Sequence, residues 1–163
     1  LLLFTFVAVF LYDALYKSPL ASNVRAVTAV SFLLITAYVF AMQNLGGFEY
    51  RAVNIHLGAL FGTNMAFNVW FRIWPAQQKI ITSIKNGEAP DGSLLALAGL
   101  RSKHNTYMSV PLVWTMHNQH HVTAPTALGI PGEFSWVLPM VMVILGWHIV
   151  WQLYKKSASI KGF

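Results

Sequence analysis

Cysteine is missing from this chain of 163 residues. Without a thiol there is no disulfide, no cysteine-ligated zinc or iron–sulfur cluster, and no covalently attached c-type haem. Any bound metal must therefore use histidine nitrogen or oxygen ligands. Charge is also scarce, because charged residues make up 10% of the chain against 56% hydrophobic residues, and the mean hydropathy is +0.53. This composition excludes an ordinary soluble domain and indicates a membrane protein.

Five apolar runs predict an all-α integral membrane bundle with about five transmembrane helices. A helix needs about 20 apolar residues to cross a bilayer core, and lipid cannot satisfy open strand edges. Because Leu1 already lies inside an apolar run, we expect further residues to precede it. We predict a single membrane domain over residues 1–163, with spans at about 1–16, 26–42, 53–74, 105–120 and 134–154.

The basic residues predict the orientation of the bundle. Ten of the eleven lysines and arginines fall on one side of the predicted spans, and only Arg51 falls on the other. By the positive-inside rule the basic loops and the C-terminus are cytoplasmic, which suits a bacterial inner membrane. Ile80 and Ile84 are flanked by Lys79 and Lys85, which predicts a short interfacial helix on the cytoplasmic side. The basic residues are spread over separate loops, so we expect no nucleic-acid partner.

The segment "MHNQHH" gathers three of the six histidines at the outer end of the fourth predicted span. His56 lies at a similar depth in the third span. Two neutral imidazoles from facing helices are what a b-type haem needs. We therefore predict His56 and His120 as axial ligands of haem iron, with His117 as the substitute for His120. His121 we expect to meet only headgroups and water.

Other interpretations of the outer side stay open. Arg51, the one cation there, is a partner for a haem propionate or an anionic substrate, or else an interfacial arginine. A non-haem metal or a chlorin pigment is the alternative to haem. "HNQHH" also fits a histidine box of di-iron desaturases, but those enzymes need more histidines than this chain has. Gly58, Gly62 and Ala66 form a small-residue stripe that admits a neighbouring helix or a flat ring.

Four further residues are secondary site candidates. His104 and His148 lie toward the basic side, where they would hold a second haem, although we favour a solvated His104 and a hydrogen-bonded His148. Asn64 and Asn68 share one face of the third span, which favours interhelical hydrogen bonds over an ion or substrate path. Asp13, near the end of the first span, we expect to snorkel to the interface.

Three stretches between residues 51 and 121 carry a family resemblance: "HLGALFGTNMAFNVWFRIWPAQQKII", "GEAPD" and "LRSKHNTYMSVPLVWTMHNQHH". They resemble the membrane domain of the cytochrome c-coupled urate hydroxylases, often described as a urate oxidase N-terminal domain. The last stretch departs from the family, which has Ser-Asn-His-Tyr where this chain has "NQHH", and the usual c-type cytochrome motif is missing. The matching residues are His56, Gly58, Ala59, Gly62, Thr63, Met65, Asn68, Val69, Pro75, Gln77, Arg101, Ser102, His104, Asn105, Tyr107 and His120.

The resemblance implies membrane oxidoreduction, with electrons leaving toward a periplasmic cytochrome c. Combined with the outer histidines, it predicts a haem b-binding redox subunit within a larger complex. Its expected partners are membrane lipid, other membrane subunits and the periplasmic cytochrome c. One alternative is a non-catalytic scaffold subunit of a respiratory or photosynthetic complex. A third hypothesis is a self-sufficient urate-oxidising membrane enzyme.

Overall fold

The computed structural model describes residues 1–121, 123–157 and 159–160, and all regular structure in these ranges is helical. The all-α prediction is thus confirmed. One-turn π-helical segments follow α2 and α3, at Ala41–Leu45 and Val69–Ile73. The α-helices are α1 (Leu2–Leu15), α2 (Val24–Phe40), α3 (Tyr50–Asn68), α4 (Trp74–Lys85), α5 (Gly92–Asn118), α6 (Ala124–Ala127) and α7 (Val137–Ser157).

Helices α3 and α5 form the centre of the bundle, with α1 and α7 packed against this pair. Val53 and Leu57 of α3 are fully buried in the main apolar core. At Gly58 a Cβ atom would lie 2.6 Å from the hydroxyl oxygen of Thr115 on α5. The absence of a side chain at this glycine therefore allows the two central helices to approach closely.

The third helical segment is longer than the sequence predicts. The backbone is helical without a break from residue 50 to residue 85, and Pro75 lies in the first turn of α4. The π-helical turn Val69–Ile73 comes directly before Pro75, so the proline lies where the regular α-helical hydrogen-bond pattern is already interrupted. At 1.5 Å per residue this rod is about 54 Å long, well beyond a hydrocarbon core of about 30 Å. The helical backbone thus continues beyond the predicted span of about 53–74.

The predicted interfacial helix exists as α4, but it packs against another helix. Ala76 and Ile80 of α4 are buried against Leu94 and Ala98 of α5. Helix α5 begins at Gly92, thirteen residues before the predicted start, because Asp91 accepts a hydrogen bond from the Ser93 amide at 2.7 Å. This cap lowers the pKa of Asp91. α4 and the first turns of α5 thus form a helical hairpin at the basic end.

Two helical segments are long and apolar enough to cross a membrane. Among the described residues these are Val24–Leu45, with 22 residues and a mean hydropathy of 1.9, and Gly132–Ser157, with 26 residues and 1.7. Helix α1 is apolar but has only 14 residues. α3 and α5 are long enough, but their amides, histidines and cations lower their mean hydropathy. The predicted count of about five spans is therefore not reproduced.

Candidate functional site

A buried ionic cluster joins α1, the π-helical turn after α3, and α5. The Asp13 carboxylate accepts hydrogen bonds from Arg72 Nε at 2.9 Å and from Arg101 Nη2 at 3.0 Å, and a further contact joins it to Arg72 Nη2. Lys17 Nζ lies 2.8 Å from Asp13 Oδ2. Asp13 is 6% exposed and Arg101 is 2% exposed. One carboxylate thus faces three cations, which leaves the cluster with excess positive charge.

Arg101 is the most deeply buried of the three cations, with its side chain 2% exposed. Its Nε and Nη1 atoms are buried and have no hydrogen-bond partner among the described residues. The guanidinium carbon lies 5.1 Å from the ring centroid of Tyr12 and 5.8 Å from that of Tyr16. A buried guanidinium with free donors is suited to bind an anion, since charge-assisted hydrogen bonds are the strong ones and unsatisfied buried donors are unfavourable.

A neutral hydrogen-bond network continues from the ionic cluster. The Tyr12 hydroxyl lies 2.8 Å from His104 Nδ1, and it accepts a hydrogen bond from Asn68 Nδ2 at 2.8 Å. Asn68 Nδ2 also donates to Asn105 Oδ1 at 2.9 Å, and Asn105 Nδ2 donates to the carbonyl of Met65. Because the Tyr12 hydroxyl oxygen accepts from Asn68, its own proton can be donated to His104 Nδ1. A neutral imidazole that accepts at Nδ1 carries its proton on Nε2. The phenol and the imidazole are therefore joined by a direct hydrogen bond inside the bundle.

A groove between α1 and α2 reaches this network from the side. Its cavity of about 70 Å³ is lined mostly by apolar residues, together with Tyr12, Ser31 and Asn64. The Oδ1 atom of Asn64 is buried and has no partner among the described contacts. The groove thus joins the apolar flank of the bundle to the phenol of the polar network.

We call the ionic cluster and this network together the polar cluster: Tyr12, Asp13, Tyr16, Lys17, Asn68, Arg72, Arg101, His104 and Asn105.

The sequence-predicted haem residues lie at the opposite end of the bundle. His56 is half-buried, and its Nδ1 is buried without a partner in the described part of the chain. The Phe48 ring contacts it edge-on at 5.7 Å. His120 and Arg51 are exposed. Among the described residues no hydrogen bond or ring contact joins His56 to His117, His120 or Arg51.

A second groove lies between α3 and α5 at this outer end, with a cavity of about 260 Å³. None of the four predicted haem residues lines it. His56 has a ring nitrogen without a partner in the described part of the chain, which suits one axial position of a haem iron. His120 is exposed, so no enclosed second axial ligand faces His56. The haem therefore remains a prediction. The groove is lined by Asn54, Ile55, Gly58, Ala59, Leu112, Thr115, Met116 and Gln119.

For each of the four secondary candidates, the structure can be compared with the expectation from the sequence. His104 is half-buried and bonded to Tyr12, so the expectation of a solvated histidine is wrong. His148 is exposed and lies 3.2 Å from Gln152, and no described contact joins it to His104. Asn68 makes interhelical hydrogen bonds as expected, whereas the amide of Asn64 faces the groove.

Sequence reasoning missed the ionic part of the polar cluster. Asp13 does not snorkel to the interface, because arginines from two other elements reach it inside the bundle. The sequence gives Arg72 only as part of the topology signal, and it gives Arg101 as part of that signal and as a residue that matches the family, without a partner for either. One sequence signal for the cluster existed, since Asp13 is the single acidic residue within the apolar run that forms α1. An ionisable residue in such a run is a functional candidate by default.

Comparison with known proteins gives one match. A family model described as urate oxidase N-terminal matches residues 2–161, nearly the whole chain. The resemblance noted over residues 51–121 is thereby confirmed, and it extends to α1 and α7. No curated protein and no solved structure matches the chain.

Proposed function

Because this chain belongs to the urate oxidase N-terminal family, we propose that it forms part of a membrane-embedded urate-oxidising enzyme that binds urate at the polar cluster. Urate is a flat anion at neutral pH, with carbonyl and N–H groups along its edges. The free donors of Arg101 suit its charge, and the amides of Asn68 and Asn105 suit its edges. One such anion would reduce the excess positive charge of the cluster.

One observation carries this proposal. The residues that match the family in "LRSKHNTY" and "AFN" lie far apart in the sequence, yet Asn68, Arg101, His104 and Asn105 meet in one buried cluster. Polar and ionisable residues inside a membrane bundle are unfavourable unless they serve binding or proton transfer. Tyr12 and His104 would then exchange protons with the bound substrate through the 2.8 Å hydrogen bond.

The proposed placement puts the whole bundle in a bacterial inner membrane with its basic end in the cytoplasm. α1 supports this because large apolar side chains on its surface, such as Leu3, Phe6 and Phe10, are more than half exposed. The polar faces of α3 and α5 are turned toward each other. In the proposed placement α1, α3 and α5 therefore cross the bilayer beside α2 and α7. Electrons from urate would leave through a larger complex toward a periplasmic cytochrome c.

Urate-dependent reduction of added cytochrome c tests the proposal. Membranes containing the chain together with its complex partners should reduce cytochrome c when urate is added. Replacing a buried, hydrogen-bonded charge, as in Arg101→Gln, should lower the rate about 30-fold or more, since losses of about 2–5 kcal/mol are usual for such truncations. Arg25→Gln is the matched control, because Arg25 is an exposed arginine of the same basic side. Equal activity of the two variants would place the substrate elsewhere.

Haem b at the outer end is a second candidate function, and the partnerless Nδ1 of His56 favours it. A haem there would supply one-electron transfer between the substrate side and the external cytochrome. The optical spectrum of the purified, reduced protein should contain the α band of a b-type haem. His56→Ala and His120→Ala should each abolish this band, and His148→Ala should keep it. A colourless protein or a chlorin spectrum would instead favour the scaffold alternative.

A further inference from the structure

The three histidines of "MHNQHH" separate into a pair and a single residue. His117 and His121, four residues apart, place their ring centroids 5.1 Å from each other with 44° between the ring planes. His117 lies in the last turn of α5 and His121 lies three residues beyond its end, and both side chains are exposed. His120 makes no ring contact in the described part of the chain.

The ring separation matches shared coordination of one metal ion. Zinc binds imidazole nitrogen at about 2.0–2.1 Å, and the ring centroid lies about 1.1 Å further, so each centroid would be about 3.2 Å from the metal. Two such rings at a tetrahedral angle have centroids about 5.2 Å apart. The observed distance of 5.1 Å agrees with this value.

We propose that His117 and His121 form a two-imidazole site for a divalent transition metal, with Cu²⁺ bound most tightly. Imidazole suits copper, nickel and zinc, and affinity among these ions is highest for Cu²⁺. Over the residues that the structure describes, no group of three or more His, Cys, Asp or Glu side chains gathers to hold a metal. Water or an external ligand therefore completes the coordination, and the site remains open and exchangeable. It uses neither His56 nor His120, the first pair predicted for haem, but it shares His117, the predicted substitute for His120. It uses no residue of the polar cluster.

Copper titration of the tag-free chain in nanodiscs tests this site. Calorimetry should give one Cu²⁺ per chain, and the electron paramagnetic resonance spectrum should contain the coupling of two nitrogen ligands. His117→Ala and His121→Ala should each weaken Cu²⁺ binding by about tenfold or more, because a direct ligand matters at least as much as its hydrogen-bond partners. Zn²⁺ should compete for the same site with lower affinity.

Matched controls separate this site from ordinary surface binding. His120→Ala removes a neighbouring exposed imidazole and should leave the Cu²⁺ affinity unchanged, as should His148→Ala at the other end of the bundle. Circular dichroism should show the same helix content in all four variants. The proposal is overturned if Cu²⁺ does not bind, if a single nitrogen coordinates it, or if His120→Ala weakens binding as much as His117→Ala.

Discussion

Replacing Asp13 with asparagine should destabilise the bundle strongly. The substitution keeps the side-chain shape but removes the one negative charge that Arg72, Arg101 and Lys17 share. Arg101 would remain as an uncompensated charge at 2% exposure. Removing one partner of a buried ion pair costs about 3–5 kcal/mol. Lys17→Ala is the internal comparison: its side chain is 57% exposed, and such a pair contributes about 0–1 kcal/mol.

The free energy of unfolding in detergent, followed by circular dichroism during denaturant titration, measures these differences. The double variant Asp13→Asn with Arg101→Met should recover much of the lost stability, because it removes the buried charge along with its partner. The reasoning is refuted if Asp13→Asn and Lys17→Ala lose equal stability. It is also refuted if the double variant is as unstable as the sum of its two single substitutions.

Three further substitutions test particular contacts. Gly58→Ala places a Cβ atom 2.6 Å from a threonine hydroxyl, and it should lower the free energy of thermal unfolding by about 1–3 kcal/mol. Gly62→Ala meets no atom within 4 Å, so it should be neutral or slightly stabilising. Equal effects of the two substitutions would contradict the close packing of α3 against α5 at Gly58. Tyr12→Phe leaves buried polar partners unsatisfied and should cost about 1–3 kcal/mol, with a changed ¹⁵N spectrum of the bonded histidine as a second readout. Asp91→Ala should speed amide hydrogen exchange in the first turn of α5. In the unaltered chain, protection of these amides should persist at neutral pH and be lost as the pH falls through the lowered pKa of Asp91. Protection that does not depend on pH in this way would refute the cap.

The helical architecture could be predicted because composition and apolar run length report directly on the solvent around a chain. Helix ends were harder to predict, since the hydropathy pattern detects the membrane boundary and not the end of the backbone hydrogen bonding. The rod from residue 50 to 85 continues past Pro75, and α5 starts at Gly92 under the Asp91 cap. The π-helical turn that continues the rod and the Asp91 cap are set by local hydrogen bonding, which run length and apolar periodicity do not report.

The polar cluster could not be predicted from spacing along the chain. Asp13 is 59 residues from Arg72 and 88 residues from Arg101, so only tertiary packing brings the three together. The abundance of basic residues on one side pointed to topology, which obscured the two arginines that turn inward. The family resemblance does mark part of the site, because Asn68, Arg101, His104 and Asn105 are all among the residues that match the family.

The most direct test of the proposed urate site is the Arg101 Nε–H resonance in ¹⁵N-arginine-labelled protein, assigned by its loss in Arg101→Lys. Titration with urate should shift this resonance in a saturable way and leave the Arg25 resonance unchanged, because the partnerless Nε of Arg101 would donate to the anion. A spectrum in which urate leaves Arg101 unchanged, while resonances of His56 or the outer groove shift, would contradict the account.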